Sequence, residues 1–194
     1  MAEKNLDFDT VIDRTHTNSL KYDFAVQRGK PKDVLPLWVA DMDFQVSSYI
    51  QEALSDSVAH GIFGYSEADG SYFEAVAGWM GRHYGWNVEE PWLVKTPGIV
   101  FALAQAVRAF TEPGDAVLLQ QPVYYPFSQV IRDNGRKIVD NTLVQGEDGR
   151  YRIDFADFEE KIRSCKVKLF FLCNPHNPSG TIISALFSSA CIIA

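Results

Sequence analysis

Lys168-Leu-Phe-Phe-Leu-Cys-Asn-Pro-His-Asn-Pro-Ser-Gly180 is the stretch on which the fold turns. Its first half, Lys168 to Cys173, is a nearly continuous apolar run, the pattern of a strand covered on both faces. Its second half follows without a spacer and holds two Asn-Pro pairs. Proline confines the residue before it to extended or turn geometry. An asparagine amide is therefore expected at the carboxyl end of the strand, where it can donate to an anionic oxygen. A plain Asn/Pro turn is the alternative for a single pair. The doubled pair, closed by Ser179-Gly180 and set directly after an apolar strand, argues against it.

Upstream, the hydrophobic period alternates between that of a helix and that of a strand. Residues 48 to 59 place Ile50, Ala53, Leu54 and Val58 at helical spacing, and Gly61 ends them. Residues 70 to 84 repeat the pattern with Phe73, Val76, Ala77, Met80 and Tyr84, and Gly85 is the stop. Residues 98 to 110 predict a third, strongly apolar helix. Ala116 to Gln120 predicts a buried strand, 126 to 133 a helix, Lys137 to Val144 a strand, and Asp154 to Arg163 a helix with Asp154 as N-cap. Strand, helix, strand, helix, strand implies an α/β fold with a mostly parallel sheet. Ligands of such sheets bind beyond the carboxyl ends of the strands. Residues 1 to 35 are polar with isolated aromatics, such as Tyr22 and Phe24, and read as an extended arm. Leu35 to Ala40 reads as a short apolar strand ending at Asp41-Met-Asp43.

Two further segments fall near expected strand ends. Lys95-Thr-Pro-Gly-Ile-Val100 opens the third helix. A helix start presents unpaired N–H groups and a positive dipole end, and Gly98 permits close approach, so a phosphate fits there without a cationic side chain. A simple Pro-Gly turn into a core helix is the alternative. Gln121-Pro-Val-Tyr-Tyr-Pro-Phe127 follows the strand 116 to 120. Its tyrosines can present a flat ring to a flat ligand, or can equally be a pair of core aromatics.

Composition excludes several function classes. The net charge of -7 gives no counterion-release energy at a phosphate backbone, so nucleic acid is not expected as a partner. No run of 18 apolar residues occurs, so no membrane span is expected. Met1 to Asp9 carries Glu3, Asp7 and Asp9 and no apolar run, so no secretory signal is expected and the compartment expected is the cytoplasm. Cys165, Cys173 and Cys191 are odd in number and show no CxxC spacing; they read as buried or reduced thiols. No metal is expected. His16, His60 and His83 read as surface or capping residues and His176 as a loop-shaping one. Asp41 and Asp43 read as strand-end turn residues.

A Pro-Gly helix start, then Pro-x-Tyr, then Asn-Pro-x-Asn-Pro-Ser-Gly, in this order, resembles the pyridoxal-phosphate (PLP) enzymes of fold type I, in the class I/II aminotransferase family. Leu37-Trp-Val-Ala-Asp-Met-Asp-Phe44, Gly64-Tyr65, Pro122 to Phe127 and Cys173 to Pro178 most resemble its cystathionine β-lyase (C–S lyase) branch, the MalY/PatB type. The resemblance covers roughly residues 5 to 181. It implies a PLP-dependent transferase-like large domain over 46–181, an N-terminal arm and small-domain part over 1–45, and a non-family tail over 182–194. It implies pyridoxal 5′-phosphate as cofactor and a small amino acid as substrate. The backbone N–H groups of Gly98, Ile99 and Val100 would cup the phosphate. Tyr124, in preference to Tyr125, would stack on the ring, and Asn177 would hydrogen-bond its phenolic oxygen. Tyr65 would reach the phosphate of a neighbouring subunit, which implies a homodimer. The backbone around Ala40 would border the substrate carboxylate.

The family pattern continues past Gly180 to an aspartate facing the pyridine nitrogen, a Ser-x-x-Lys segment with the cofactor-bearing lysine, and an arginine for the substrate carboxylate. The 194 residues hold no Ser-x-x-Lys. Thr181 to Ala194 is apolar and serine-rich and departs from the family, as a frameshift, a mis-spliced end or a truncated gene model would. The expectation is therefore a fragment with a half-site, no catalytic residue of its own and no turnover. A C–S β-lyase, a class I/II aminotransferase and a non-catalytic regulatory or interaction protein are the three functional readings.

Overall fold

A computed structural model describes residues 7–182, and the chain divides into two units, Met1–Asp69 and Gly70–Ala194. The expected tail lies, from residue 183 onward, outside the described residues, as does Cys191.

The first unit is organised by charge. Lys21 is 4% exposed, and its Nζ donates to Asp43 Oδ2 at 2.7 Å and to the Asp41 carbonyl at 3.1 Å. Arg14 pairs with Asp41 at 2.5 Å and with Asp43 at 2.6 Å. A buried ammonium requires such partners, so this cluster ties 14–21 to 41–43. Asp41 and Asp43 are thus held by cations. The expected extended arm is instead a run of turns with a 3-10 helix, Val26–Arg28. The Asp23 carboxylate causes much of this, accepting from the backbone N–H groups of His16, Thr17 and Ser19 at 2.8 to 3.0 Å. The strand expected at Leu35–Ala40 does not form. Pro36 has no N–H to give a ladder, and Leu35 and Leu37 are 75% and 82% exposed, so no sheet covers them. Helix α1, Ser48–His60, begins with Ser47 accepting from the Tyr49 N–H and ends at Gly61, whose φ is 73°.

The second unit carries the sheet. Helix α2 (Gly70–Tyr84) precedes α3 (Ile99–Phe110), strand β1 (Ala116–Leu119), α4 (Tyr125–Asp133) and β2 (Lys137–Asp140). A short antiparallel hairpin, β3 (Val144–Gln145) and β4 (Tyr151–Arg152), leads to α5 (Phe155–Ser164) and β5 (Val167–Phe170). The three longer strands pair in the order β2-β1-β5, all parallel. Side chains alternate across the central strand. Val117 and Leu119 join Val107, Val130, Ile131, Leu169 and Phe171 in one core under α3 and α4. The opposite face meets α5, where the Phe158 ring lies edge-on to Phe170 at 5.0 Å.

Two strand expectations change. Lys137 to Val144 is interrupted after Asp140, because Asn141 is fully buried and turns the chain toward α5. The strand covered on both faces is β1, buried at every position, whereas β5 is an edge of the described sheet and leaves Lys168 exposed. An apolar run marks burial of a strand but not its rank in the sheet.

Candidate cofactor site

The sheet order places the β1 and β5 ends side by side, so the loops that leave them are neighbours. Tyr124 stands in the first loop as N-cap of α4, and Asn177 in the second. The Tyr124 N–H donates to the Asn177 carbonyl at 2.9 Å. The Tyr124 ring is 42% exposed and meets the Tyr125 ring at 5.3 Å and 64°. Asn177 is exposed. Its N–H donates to the Cys173 sulfur at 3.3 Å, which folds the turn back on its own strand.

Gly98 is the N-cap of α3, with φ 131° and ψ 164°. Thr96 donates its hydroxyl to the Gly98 carbonyl at 3.2 Å. Gly98 has no side chain to cap the helix, unlike Ser47 before α1 and Asp154 before α5. A Cβ built there would meet nothing within 4 Å. No side chain at Gly98 covers the helix start, and Ile99 and Val100 behind it are exposed. Helices α3 and α4 pack together, and their carboxyl ends are pinned by Arg108 to Asn134 at 2.7 Å and Arg136 to the Thr111 hydroxyl at 2.9 Å. Gly114 N–H donates to the Gly135 carbonyl at 2.9 Å on the same side. The two helices thus run parallel, and Gly98 and Tyr124 start them at the other end, on the side of the strands' carboxyl ends.

Beneath these loops lies a polar network with no apolar periodicity to announce it. Gln120, 2% exposed, donates from Nε2 to Asn141 Oδ1 at 3.0 Å. Asn141 Nδ2 donates to Asp157 Oδ2 at 2.7 Å and to the Asp154 carbonyl at 3.0 Å. Lys161 donates to Asp157 at 2.8 Å and to the Asp140 carbonyl at 2.6 Å. The Lys161 hydrogen bond, then that of Asn141, holds the Asp157 carboxyl below its ordinary range, and Asp157 in turn raises Lys161. The chain β1 end, β2 end, α5 is thereby fastened, which fixes the floor of the site. The sequence hint was polar residues directly ending two strands, a weak signal.

Tyr65 and Ala40 belong to the first unit, and both are exposed. The described residues include no group of three or more potential metal ligands.

A family model, aminotransferase class I and II, matches residues 32–186. The chain belongs to that family. It is 48% identical over 175 residues to cystathionine β-lyase PatB of Bacillus subtilis, covering 90% of this chain and 45% of the relative. Among solved structures it is similar to cystalysin of Treponema denticola, which contains pyridoxal 5′-phosphate (TM-score 0.85, 35% identity, 93% of this chain and 46% of the other). It is similar also to the PLP-bound C–S lyase of Staphylococcus hominis complexed with the inhibitor L-cycloserine (TM-score 0.84, 32% identity, 92% of this chain and 45% of the other). The chain thus spans about half the length of the relatives it matches. The family is PLP-dependent, and the expected fold is the observed one. No described helix is long and apolar enough to cross a membrane.

The residues present fit the phosphate and ring of that cofactor. The uncapped α3 start suits a dianionic phosphate, the exposed Tyr124 ring suits a planar partner, and the free Asn177 amide suits an anionic oxygen.

Proposed function

We propose that this chain contributes the phosphate-binding and ring-binding half of a PLP-dependent carbon–sulfur β-lyase acting on cystathionine or a related cysteine S-conjugate, with thiol, pyruvate and ammonia as products. The observation that supports it most is the Tyr124 N–H to Asn177 carbonyl hydrogen bond, which joins the aromatic turn to the Asn-Pro turn. When bound, the cofactor supplies the electron sink for the pair left on the substrate Cα. The N–H groups of Gly98, Ile99 and Val100 bind its phosphate. The Tyr124 ring covers one face, and the Asn177 amide donates to the phenolic oxygen. The backbone at Ala40 borders the substrate carboxylate. Tyr65 serves the phosphate of a second subunit, so the active form is a homodimer, in the cytoplasm. Residues 1–45 act as arm and small-domain part and 46–181 as part of the cofactor domain. The lysine that carries the cofactor and takes the α-proton must come from a Ser-x-x-Lys segment outside these 194 residues.

The test has two arms. The 194-residue polypeptide is mixed with PLP and cystathionine; binding of PLP without visible-band formation or pyruvate release is expected. A polypeptide that carries these residues together with the Ser-x-x-Lys segment is expected to release pyruvate and thiol. Turnover by the 194 residues alone would contradict the role given to the lysine. The family model also supports an aminotransferase. That reading predicts amino transfer to a 2-oxo acid in the second polypeptide, with no thiol released.

A further inference from the structure

His176 lies between the two asparagines of the Asn-Pro turn, yet it is only 2% exposed while Asn177 beside it is exposed. Its two ring nitrogens are both engaged. Nε2 lies 3.1 Å from the Gln120 carbonyl, at the end of β1, and Nδ1 lies 3.1 Å from the Ser179 hydroxyl. A carbonyl oxygen only accepts, so Nε2 must carry a hydrogen. The tautomer with its hydrogen on Nδ1 alone would set a ring lone pair against the carbonyl and leave a buried acceptor unpaired, which is costly.

The rest of the turn closes on itself. The Gly180 N–H donates to the His176 carbonyl at 2.7 Å, and the His176 N–H donates to the Thr181 carbonyl at 2.8 Å. It is tied to the β1 end through the His176 ring on Gln120 and the Tyr124 N–H on the Asn177 carbonyl. A longer contact, Thr181 Oγ1 to the Tyr151 carbonyl at 3.4 Å, reaches β4. The ring is therefore a side-chain bolt between the end of β1 and the turn that carries Asn177.

We propose that His176 is a positioning residue: its Nε2–H pins the Asn-Pro turn to the Gln120 carbonyl and so sets the Asn177 amide in register with the Tyr124 ring. The role of Asn177 toward a bound ring rests on the reading above, while the pin itself is a property of the free chain.

The test separates the two. In the free 194-residue chain, ring-nitrogen chemical shifts of His176 should report a hydrogen on Nε2. Exchange of the Tyr124 amide hydrogen should quicken about fivefold in His176→Phe, the loss of a net hydrogen bond. His176→Gln, which keeps an N–H at similar reach, should restore it. The Lys137 amide, bonded to the Asp115 carbonyl at 2.8 Å at the far end of the sheet, should be unmoved by both. A bare Nε2 in the wild-type chain overturns the pin even where the phenylalanine variant does not fold. So does an unchanged Tyr124 rate, or a Lys137 rate that rises with it. The second measurement uses pyridoxine 5′-phosphate, whose ring absorbance follows ionisation of its phenolic hydroxyl. That hydroxyl should ionise at lower pH when bound to the wild-type chain or His176→Gln than when free, and should move back toward the free value in His176→Phe. If the exchange results hold but the wild-type chain leaves the probe's ionisation unchanged, the cofactor reading fails and the pin stands. If Tyr124 exchange ignores His176, the pin fails whatever the probe does.

Discussion

Single residues decide whether the loops at the strand ends can accept a ligand. Gly98 holds φ 131° and ψ 164°, a conformation that L side chains rarely adopt, while the space beside it is open. The cost of Gly98→Ala is therefore backbone strain without a clash, about 1–3 kcal/mol of folding stability. A lowered denaturant midpoint at unchanged slope, together with weaker binding of inorganic phosphate, is expected. Phosphate binding at wild-type strength would remove Gly98 from the site. At Asn177 the backbone carbonyl takes part in the fold and the side chain does not, so Asn177→Ala should leave thermal unfolding within about 0.5 kcal/mol of the parent. A larger loss would mean that the amide has a structural job.

At the scale of elements, α5 shows how a helix is fixed to a sheet by polar ends. Asp154 accepts from the N–H groups of Ala156 and Asp157, each at 3.0 Å. Asp154→Ala should cost about 1 kcal/mol, read from chemical denaturation. One turn on, Asp157 carries a pH signature. Its folded-state pKa is lowered from 3.8, first by the Lys161 hydrogen bond and then by Asn141. A lowered carboxylate stabilises the fold fully above the ordinary value and loses that contribution as pH falls through the folded value. Lys161, raised from 10.5 by Asp157, contributes below its ordinary value and loses that as pH rises through the folded one. Asp157→Asn should therefore flatten the decline in stability on the acid side of 3.8 and the alkaline side of 10.5. Melting temperatures across both windows test this; an acid-side slope identical to that of the parent would exclude Asp157 as a cause.

For the whole molecule, the second unit depends on one central strand. Leu119 is fully buried between the helices and the sheet. Leu119→Ala should cost about 2–5 kcal/mol, much of the 5–15 kcal/mol typical of a domain. Loss of the cooperative thermal transition is the expected readout. On its side away from β1, β5 has no partner among the described residues, and an open strand edge invites pairing with other chains. Large apolar side chains such as Val11, Phe63 and Ile99 are 94%, 79% and 72% exposed. Self-association of the 194-residue polypeptide with rising concentration is expected in sedimentation or size-exclusion measurements. A monomer with a sharp, reversible transition would show that these surfaces are tolerated.

Features set by local chemistry were legible in the order of residues alone. Helical periods placed α1, α2, α3 and α5 to within a residue or two, because glycine stops and the Asp154 cap act within one turn. The order Pro-Gly, Pro-x-Tyr, Asn-Pro-His-Asn-Pro identified the family, because those turns need those residues at those places. Tertiary structure decided what depends on partners far along the chain. Leu35 to Ala40 is apolar but finds no ladder, so it is not a strand. The run 137 to 144 breaks at Asn141, whose amide bonds to Gln120, 21 residues earlier, and Asp157, 16 later. The deepest strand is β1 and not β5, because burial follows from the sheet order, which no local pattern records. His176 reads on paper as one turn residue among several; only the packing of its ring against the end of β1 makes it a bolt.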